Sequence, residues 1–178
     1  MSIDWRQELP VLRLEGVSLR EPRLEDAPGL FASLTTPSVT RFLSTPPDTP
    51  QGFERFIAWV RSEREIGRHM CFGIVPNEMS VPAGLIQVRE TEPGFRTAEW
   101  GFALDETLWG KGLSVPCAIA VIDFVFRHTA VRRLEARAVV GNIRANGVLR
   151  KLGAVEEGCV QRSFLLGGQY HDDVMWSI

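Results

Sequence analysis

Residues 97–126, TAEWGFALDETLWGKGLSVPCAIAVIDFVF, decide the fold predicted for this chain. The first eight alternate between large apolar and small or polar residues, which predicts a strand. Two glycines then flank Lys111, and a nearly unbroken apolar run from Val115 to Phe126 predicts a buried helix. The strand-like run RLEARAVV follows at 133–140. Because two strands joined by a helix usually pair in parallel, we expect a parallel pair at this point.

The glycine turn has two interpretations. A turn at the start of a helix exposes backbone N–H groups and the positive end of the helix dipole, and together these bind phosphate. Glycine lets such a ligand approach the backbone closely. The alternative is an ordinary turn with a solvated Lys111. The turn is neither a Walker loop nor a complete dinucleotide fingerprint, so spacing alone leaves both interpretations open.

The strand before the turn offers a groove. Alternation places two sets of side chains on opposite faces, Trp100, Phe102 and Leu104 on one and Glu99, Gly101 and Ala103 on the other. A glycine in mid-strand often marks the close approach of another chain or a ligand. Glu99 is then either an exposed strand carboxylate or a functional group beside that groove.

The rest of the chain predicts an α+β fold. Helical patterns cover 24–34 and 51–65, Asn142 precedes a third amphipathic helix, and residues 11–20 form one or two short strands. The runs HMCFGIVP and AGLIQVRET precede TAEWGFAL as an antiparallel meander, and the last twenty residues form a hairpin around Gly167–Gly168. We expect a single domain over 1–178, with a mixed, mostly antiparallel sheet and helices on both faces.

Composition excludes several classes of protein. The 20 basic and 22 acidic residues give a net charge of −2, so no broad basic surface for nucleic acid is expected. The start of the chain lacks the apolar segment of a secretory signal, and the longest apolar run is too short to span a bilayer. Three widely spaced cysteines in apolar runs indicate buried thiols, and no residues have metal-ligand spacing. We expect a cytoplasmic protein with neither a membrane partner nor a metal.

Several of these segments together resemble the GNAT acetyltransferases, and within them the RimJ/RimL-type protein N-terminal acetyltransferases. The similarity rests on AEWGFAL followed by WGKGL, then GNIRANGVLRKLGAVEEG and GGQYHDDVMWSI, and covers nearly the whole chain. It implies a seven-stranded sheet in which two central parallel strands splay apart. It also implies that acetyl-coenzyme A (acetyl-CoA) is bound in the resulting gap.

The resemblance assigns the donor-binding residues. It implies that the pantetheine arm pairs with the backbone of Phe102, Ala103 and Leu104, and that Asn142 lies near the thioester. It places the pyrophosphate on the N–H groups of Trp109, Gly110, Lys111, Gly112 and Leu113. Asn142 is independently expected to cap its helix, and the two roles are compatible.

The sequence departs from the family pattern at several positions. Thr107 stands where a Gln or Arg often contacts the pyrophosphate, and Pro116 replaces a glutamate of the following helix. Ala145 and Leu149 replace the serine and tyrosine that serve as acids in other members. Glu99 matches the glutamate that is the general base in some branches.

The expected reaction is direct attack of a primary amine on acetyl-CoA in a ternary complex. Glu99 takes the proton, directly or through water, and the backbone N–H near Ala103 stabilises the oxyanion. The preferred acceptor is a protein or peptide N-terminal α-amine. The alternatives are a small amine, such as a polyamine, amino acid or antibiotic, and a non-catalytic acyl-CoA-binding protein. The chain is expected to be a monomer or a homodimer.

Overall fold

A computed structural model describes residues 4–178; the predicted domain, 1–178, therefore includes three residues outside the described range. A single sheet of eight strands has the order β1-β2-β3-β4-β5-β6-β8-β7. The strands are β1 Leu12–Leu14, β2 Val17–Arg20, β3 His69–Pro76, β4 Gly84–Glu90, β5 Thr97–Leu104, β6 Arg133–Val139, β7 Val155–Leu166 and β8 Gln169–Ser177. The helices are α1 Ala27–Leu34, α2 Pro37–Thr40, α3 Pro50–Glu65, α4 Ser114–His128 and α5 Ile143–Lys151, with short 3-10 turns at Leu24–Asp26 and Glu106–Leu108.

The sheet is mixed, as predicted. Its neighbouring strands pair antiparallel except β5 and β6, which pair in parallel. The expected number of seven strands was wrong. The additional strand arises because residues 11–20 divide at a tight turn, where Gly16 adopts φ 76°, a conformation that favours glycine.

Helices cover both faces of the sheet, which confirms the predicted architecture. One core lies between the sheet and α4 and α5, and it includes Trp100, Leu134 and Val121. The other lies between the sheet and α1 to α3, where Ile57 and Leu85 are buried. Each fully buried aliphatic or aromatic side chain stabilises the fold by about 1.5–3 kcal/mol, so the two cores hold the helices against the sheet.

Helix α3 shows how the local sequence sets an element's start and face. Thr49 caps it by accepting the Gly52 N–H at 3.0 Å, and Pro50 occupies the first turn, where its missing N–H costs nothing. A stripe that includes Phe53 and Ile57 faces the sheet. The helix therefore lies where the periodicity of 51–65 predicts it.

The feature that positions the site is the short ladder between β5 and β6. Only three residue pairs form it, and Glu99 opposite Glu135 is the last. Beyond this pair, β5 continues to Leu104 and β6 to Val139 without pairing to each other. We call the resulting gap the splay.

In the described part of the chain, no helix has both the length and the apolar character needed to cross a membrane.

Candidate active site

Two cavities adjoin the splay. The first has a volume of about 350 Å³ and lies beside the glycine turn, so we call it the loop-side cavity. It is lined by Ser38, Val39, Phe42, Leu43, Phe102, Ala103, Leu104, Trp109, Gly110, Ser114, Asn142, Ile143, Arg144, Ala145, Gly147, Val148 and Lys151.

The second cavity has a volume of about 420 Å³ and is partly walled by the β7–β8 hairpin. We call it the hairpin-side cavity. Its charged lining residues are Arg89, Glu99, Arg137 and Asp173. The hairpin also contributes Ser163 and Phe164.

The two cavities meet at the splay. Five residues line both, namely Phe42, Leu43, Phe102, Asn142 and Ala145. Phe42 and Leu43 belong to the segment after α2 and reach the splay from the α1–α3 side. A group bound in one cavity can therefore contact a group bound in the other.

The glycine turn is anchored at its start by Asp105. The Asp105 carboxylate accepts the Thr107 N–H at 2.8 Å and the Thr107 hydroxyl at 2.5 Å. Partial burial opposes ionisation, but the hydrogen bonds from Thr107 outweigh it and lower the pKa of Asp105. Thr107, which departs from the family pattern, thus orders the turn.

The turn itself exposes donors. Gly110 and Gly112 adopt φ 75° and 78°, which non-glycine residues rarely tolerate. Within the described part of the chain, the N–H groups of Gly110, Gly112 and Leu113 have no hydrogen-bond acceptor. The prediction that the N–H groups of Trp109 and Lys111 also hold the pyrophosphate was wrong, because they donate to the carbonyls of Glu106 at 3.2 Å and Leu108 at 3.4 Å. Helix α4 begins at the next residue without a side-chain cap. Free donors and a helix N-terminus at one place favour an anion.

The structure brings most of the predicted donor-binding residues to one cavity. Six of them line the loop-side cavity, namely Phe102, Ala103, Leu104, Trp109, Gly110 and Asn142. Lys111, Gly112 and Leu113 continue the turn but do not line the cavity. Glu99 lies apart from this set, in the hairpin-side cavity.

Backbone direction in β5 separates the residues that face the splay from those that do not. The Asp105 N–H donates to Ala83 at 2.8 Å on the β4 side, whereas the Arg96 carbonyl accepts from Arg132 at 2.8 Å on the β6 side. The direction of the backbone N–H and C=O groups alternates along a strand. In β5, therefore, these groups point to β4 in odd-numbered residues and to the splay in even-numbered residues. The N–H of Ala103, the predicted oxyanion donor, is therefore directed to β4, and the N–H groups of Phe102 and Leu104 face the splay.

Asn142 caps α5, as predicted, by accepting the Ala145 N–H at 3.1 Å. The sequence analysis missed its neighbour Asn146, which is buried. The Asn146 amide donates to the carbonyls of Val139 at 3.0 Å and Asn142 at 2.9 Å, and accepts from the Trp176 indole at 3.0 Å. This network fixes the start of α5 against the end of β6.

Trp109 closes one wall of the loop-side cavity. Its indole N–H donates to the Leu104 carbonyl at 2.9 Å, and the Arg144 guanidinium lies 4.0 Å from its ring centre. Arg144 and Lys151 were missed, although their spacing of seven residues places both on one face of a helix. They are the charged residues of this lining, which contains no carboxylate.

The charges of the hairpin-side cavity are mixed. Glu99 is paired with Arg89, its cross-strand neighbour, at 3.1 Å. Asp173 lies on β8 and is only 6% exposed. Sequence reasoning missed Asp173, although alternation with the core residues Val174 and Trp176 places it on the face opposite theirs.

The cysteines take no part in either cavity. Burial raises the pKa of Cys71 and raises that of Cys117 to about 11, so both thiols stay protonated at neutral pH. The prediction of three buried thiols was wrong for Cys159, which is exposed on β7. Within residues 4–178, no cluster of three or more His, Cys, Asp or Glu side chains is arranged to hold a metal.

Comparison with known proteins identifies the family. Residues 17–155 match the acetyltransferase (GNAT) domain. The chain belongs to the GNAT acetyltransferase family. The predicted resemblance is therefore confirmed.

Individual GNAT proteins of different specificity are similar to this chain. It is 32% identical over 89 residues to the ribosomal-protein-serine acetyltransferase of Escherichia coli K12, covering 50% of each chain. It is 29% identical over 96 residues to the spermidine N(1)-acetyltransferase of the same strain, covering 54% of this chain and 52% of the relative. A solved RimL, a ribosomal L7/L12 alpha-N-protein acetyltransferase in complex with coenzyme A, superposes with a TM-score of 0.87 at 21% identity, over 95% of this chain and 97% of that one. This last likeness shows the fold.

Proposed function

We propose that this GNAT protein transfers an acetyl group from acetyl-CoA to a primary amine, and that its acceptor is the α-amine of a protein N-terminus. The observation that carries the proposal is the splay, where a basic cavity beside a glycine turn meets a cavity that contains carboxylates. Donor and acceptor then approach from opposite sides and react where the two cavities adjoin.

The loop-side cavity fits the donor. Its glycine turn offers free N–H groups to a pyrophosphate, and Arg144 and Lys151 add positive charge without a competing carboxylate. The N–H groups of Phe102 and Leu104 face the splay, where an extended pantetheine amide arm pairs with backbone. We assign donor binding to these groups together with Trp109, Asn142 and the turn from Gly110 to Leu113, in which the N–H groups of Gly110, Gly112 and Leu113 are free to bind the pyrophosphate.

The chemical step needs a neutral amine and a stabilised carbonyl oxygen. The amine nitrogen bonds to the thioester carbonyl carbon, the carbon–sulfur bond breaks, and the thiolate of coenzyme A leaves. Glu99, directly or through water, takes the proton lost by the nitrogen. The N–H of Phe102, rather than that of Ala103, is directed to stabilise the carbonyl oxygen. Ala145 and Leu149 carry no proton donor, so we assign no side chain to protonation of the thiolate.

The charges of the hairpin-side cavity favour an N-terminal amine over a polyamine. A polyamine carries several positive charges, whereas Arg89 already pairs with Glu99 and leaves Asp173 as the carboxylate available to a cation, and Arg137 repels the remaining charges. An N-terminal peptide has one positive charge, which a carboxylate of this cavity can pair with. Its amide groups can form hydrogen bonds to the remaining carboxylate and to the guanidinium groups. The relative that acts on a ribosomal-protein serine supports this choice.

The second candidate is a small-amine acetyltransferase. The similarity to a spermidine N(1)-acetyltransferase over 96 residues supports it, as does the presence of two carboxylates in the cavity. Both functions share the donor and the chemistry, so the acceptor alone separates them.

The test is a thiol-release screen with acetyl-CoA in which N-terminal peptides, polyamines, amino acids and aminoglycosides are compared side by side. We expect the highest kcat/KM with peptides, and mass spectrometry should find the acetyl group on the N-terminal nitrogen. Preferential acetylation of spermidine would establish the second candidate. Coenzyme A binding without thiol release for any amine would instead support a non-catalytic acyl-CoA-binding protein.

A further inference from the structure

We propose that Asp173 binds the ammonium form of the acceptor amine at the hairpin-side end of the splay, as a positioning residue distinct from the base Glu99. The inference deepens the proposed function and rests on it. The observation behind it is a buried carboxylate that lines the acceptor cavity without a partner.

The burial of Asp173 is unusual for an unpaired carboxylate. The residue is 6% exposed, and within residues 4–178 its side chain forms neither an ion pair nor a hydrogen bond. Its carboxylate oxygens are not among the fully buried side-chain atoms without a partner, so they reach the open space of the cavity. Burying an unpaired charge is costly, so such groups normally have a counter-charge. The open side of the carboxylate is the hairpin-side cavity. A cationic ligand entering that cavity supplies the counter-charge.

The two carboxylates of the cavity differ in availability. The Glu99 carboxylate already forms an ion pair with the Arg89 guanidinium at 3.1 Å, so it attracts a ligand cation less strongly. Arg137 shares the face of Asp173 but stands opposite Met175, and it forms no ion pair with Asp173. Asp173 is therefore the more attractive carboxylate for an incoming ammonium group.

The strand registers place Asp173 level with the reacting atoms along the strand direction. Asp173 is opposite Val139 on β6, four residues beyond the last β5–β6 pair. On β5, Phe102 lies three residues beyond the same pair, or about 10 Å along the strand from Glu99. Measured along the strand direction, Phe102 and Asp173 are therefore within about 3 Å of each other. An amine held by Asp173 thus reaches the level of the Phe102 N–H, where we place the thioester carbonyl.

The two acids then have sequential roles. Asp173 attracts and orients the cation, and the amine becomes reactive once the ammonium proton passes to solvent water. Glu99 then takes the second proton, which the nitrogen loses as it bonds to the carbonyl carbon. Because an α-amine has a pKa near 8, most of it arrives as ammonium at pH 7 and requires such a counter-charge.

The first experiment measures cation binding without catalysis. Wild-type protein saturated with coenzyme A is titrated with n-butylammonium and, separately, with neutral n-butanol, and binding is followed by amide chemical shifts. We expect n-butylammonium to bind at least tenfold more tightly than n-butanol, with shifts centred on Val139 and Val174. Asp173→Asn should abolish the preference for the cation. Equal binding of the two probes to wild type, or a preference that survives in Asp173→Asn, would overturn the inference.

The matched control is Asp172→Asn. Asp172 is the neighbouring carboxylate on the other face of β8, and an asparagine there still accepts the Arg162 N–H that Asp172 accepts at 2.8 Å. This variant removes the same charge and should keep the cation preference. If both variants lose it, net charge rather than Asp173 is responsible, and the inference fails.

The second experiment uses the best amine from the thiol-release screen. Asp173→Asn should raise the KM for that amine at least tenfold and leave the KM for acetyl-CoA within twofold, whereas Asp173→Glu should recover part of the loss. A structural defect would change both KM values and lower the melting temperature. If no amine is acetylated, the proposed function fails, while the n-butylammonium titration still decides the role of Asp173.

Discussion

The loop-side and hairpin-side cavities share five residues yet are built on different principles. The loop-side cavity relies on backbone N–H groups, two cations and a helix N-terminus, all of which suit a phosphorylated ligand of fixed shape. The hairpin-side cavity relies on side chains of both charges that project from four strands and suits an ammonium group. Donor binding therefore depends largely on local backbone conformation, whereas the choice of acceptor depends on a few side chains.

The largest expected effect is on the hairpin side. Glu99→Gln should lower kcat about a hundredfold or more, because it removes the proposed base, and should leave the Kd for acetyl-CoA unchanged. Steady-state kinetics and calorimetry measure the two quantities. Glu135→Gln is the matched control, since Glu135 faces Glu99 in the ladder and also pairs with an arginine but lies outside both cavities. An unchanged kcat in Glu99→Gln would remove Glu99 from the mechanism.

The second largest effect is expected on coenzyme A binding in the loop-side cavity. Reversing both cations, in Arg144→Glu with Lys151→Glu, should weaken coenzyme A binding at least tenfold, because each glutamate repels the phosphates. The loss should shrink at high salt, where exposed charges are screened. Arg55→Glu applies the same kind of change on α3, away from both cavities, and should bind normally. If the double variant binds coenzyme A as wild type does, the phosphates lie elsewhere.

A smaller effect concerns the protonation of the acceptor. For an N-terminal peptide, the rate at saturating acetyl-CoA and low peptide should rise about fivefold from pH 7 to pH 8, as the neutral fraction of an amine with pKa near 8 increases. A peptide whose only amine is a lysine side chain should stay far slower across this range. A flat profile for the N-terminal peptide would contradict this prediction, because it would show that the ammonium proton passes to a group of the protein rather than to solvent.

The smallest effect is expected at Asn142, one of the five residues that both cavities share. Asn142→Ala removes the cap of α5 and should lower the free energy of unfolding by about 1 kcal/mol. It should also raise the KM values of both substrates. Thr49→Ala removes an equivalent cap from α3 and should cost similar stability with unchanged KM values. Chemical denaturation and kinetics on the two variants thus separate the capping role of Asn142 from a role in the site.

Much of the fold was predictable because its signals are local. The alternation of 97–104, the glycines at 110 and 112 and the apolar run of α4 predicted three consecutive elements, and the structure has all three. Residues 11–20 were expected to form one or two strands, and the count of seven that the resemblance implied was wrong because a two-residue turn at Gly16 divides them into two. A tight turn of this kind interrupts the alternation too briefly to be counted from sequence alone.

The sequence by itself determined the order of elements, the faces of β5 and the donors of the glycine turn, because each depends on residues that are close along the chain. Only the tertiary structure decided which groups meet. Asp173 and Glu99 are 74 positions apart in the sequence and share a cavity because the sheet order brings β8 next to β6. The direction of the Ala103 N–H was likewise decided by pairing with β4. Long-range pairing fixes such relations, and no local pattern records them.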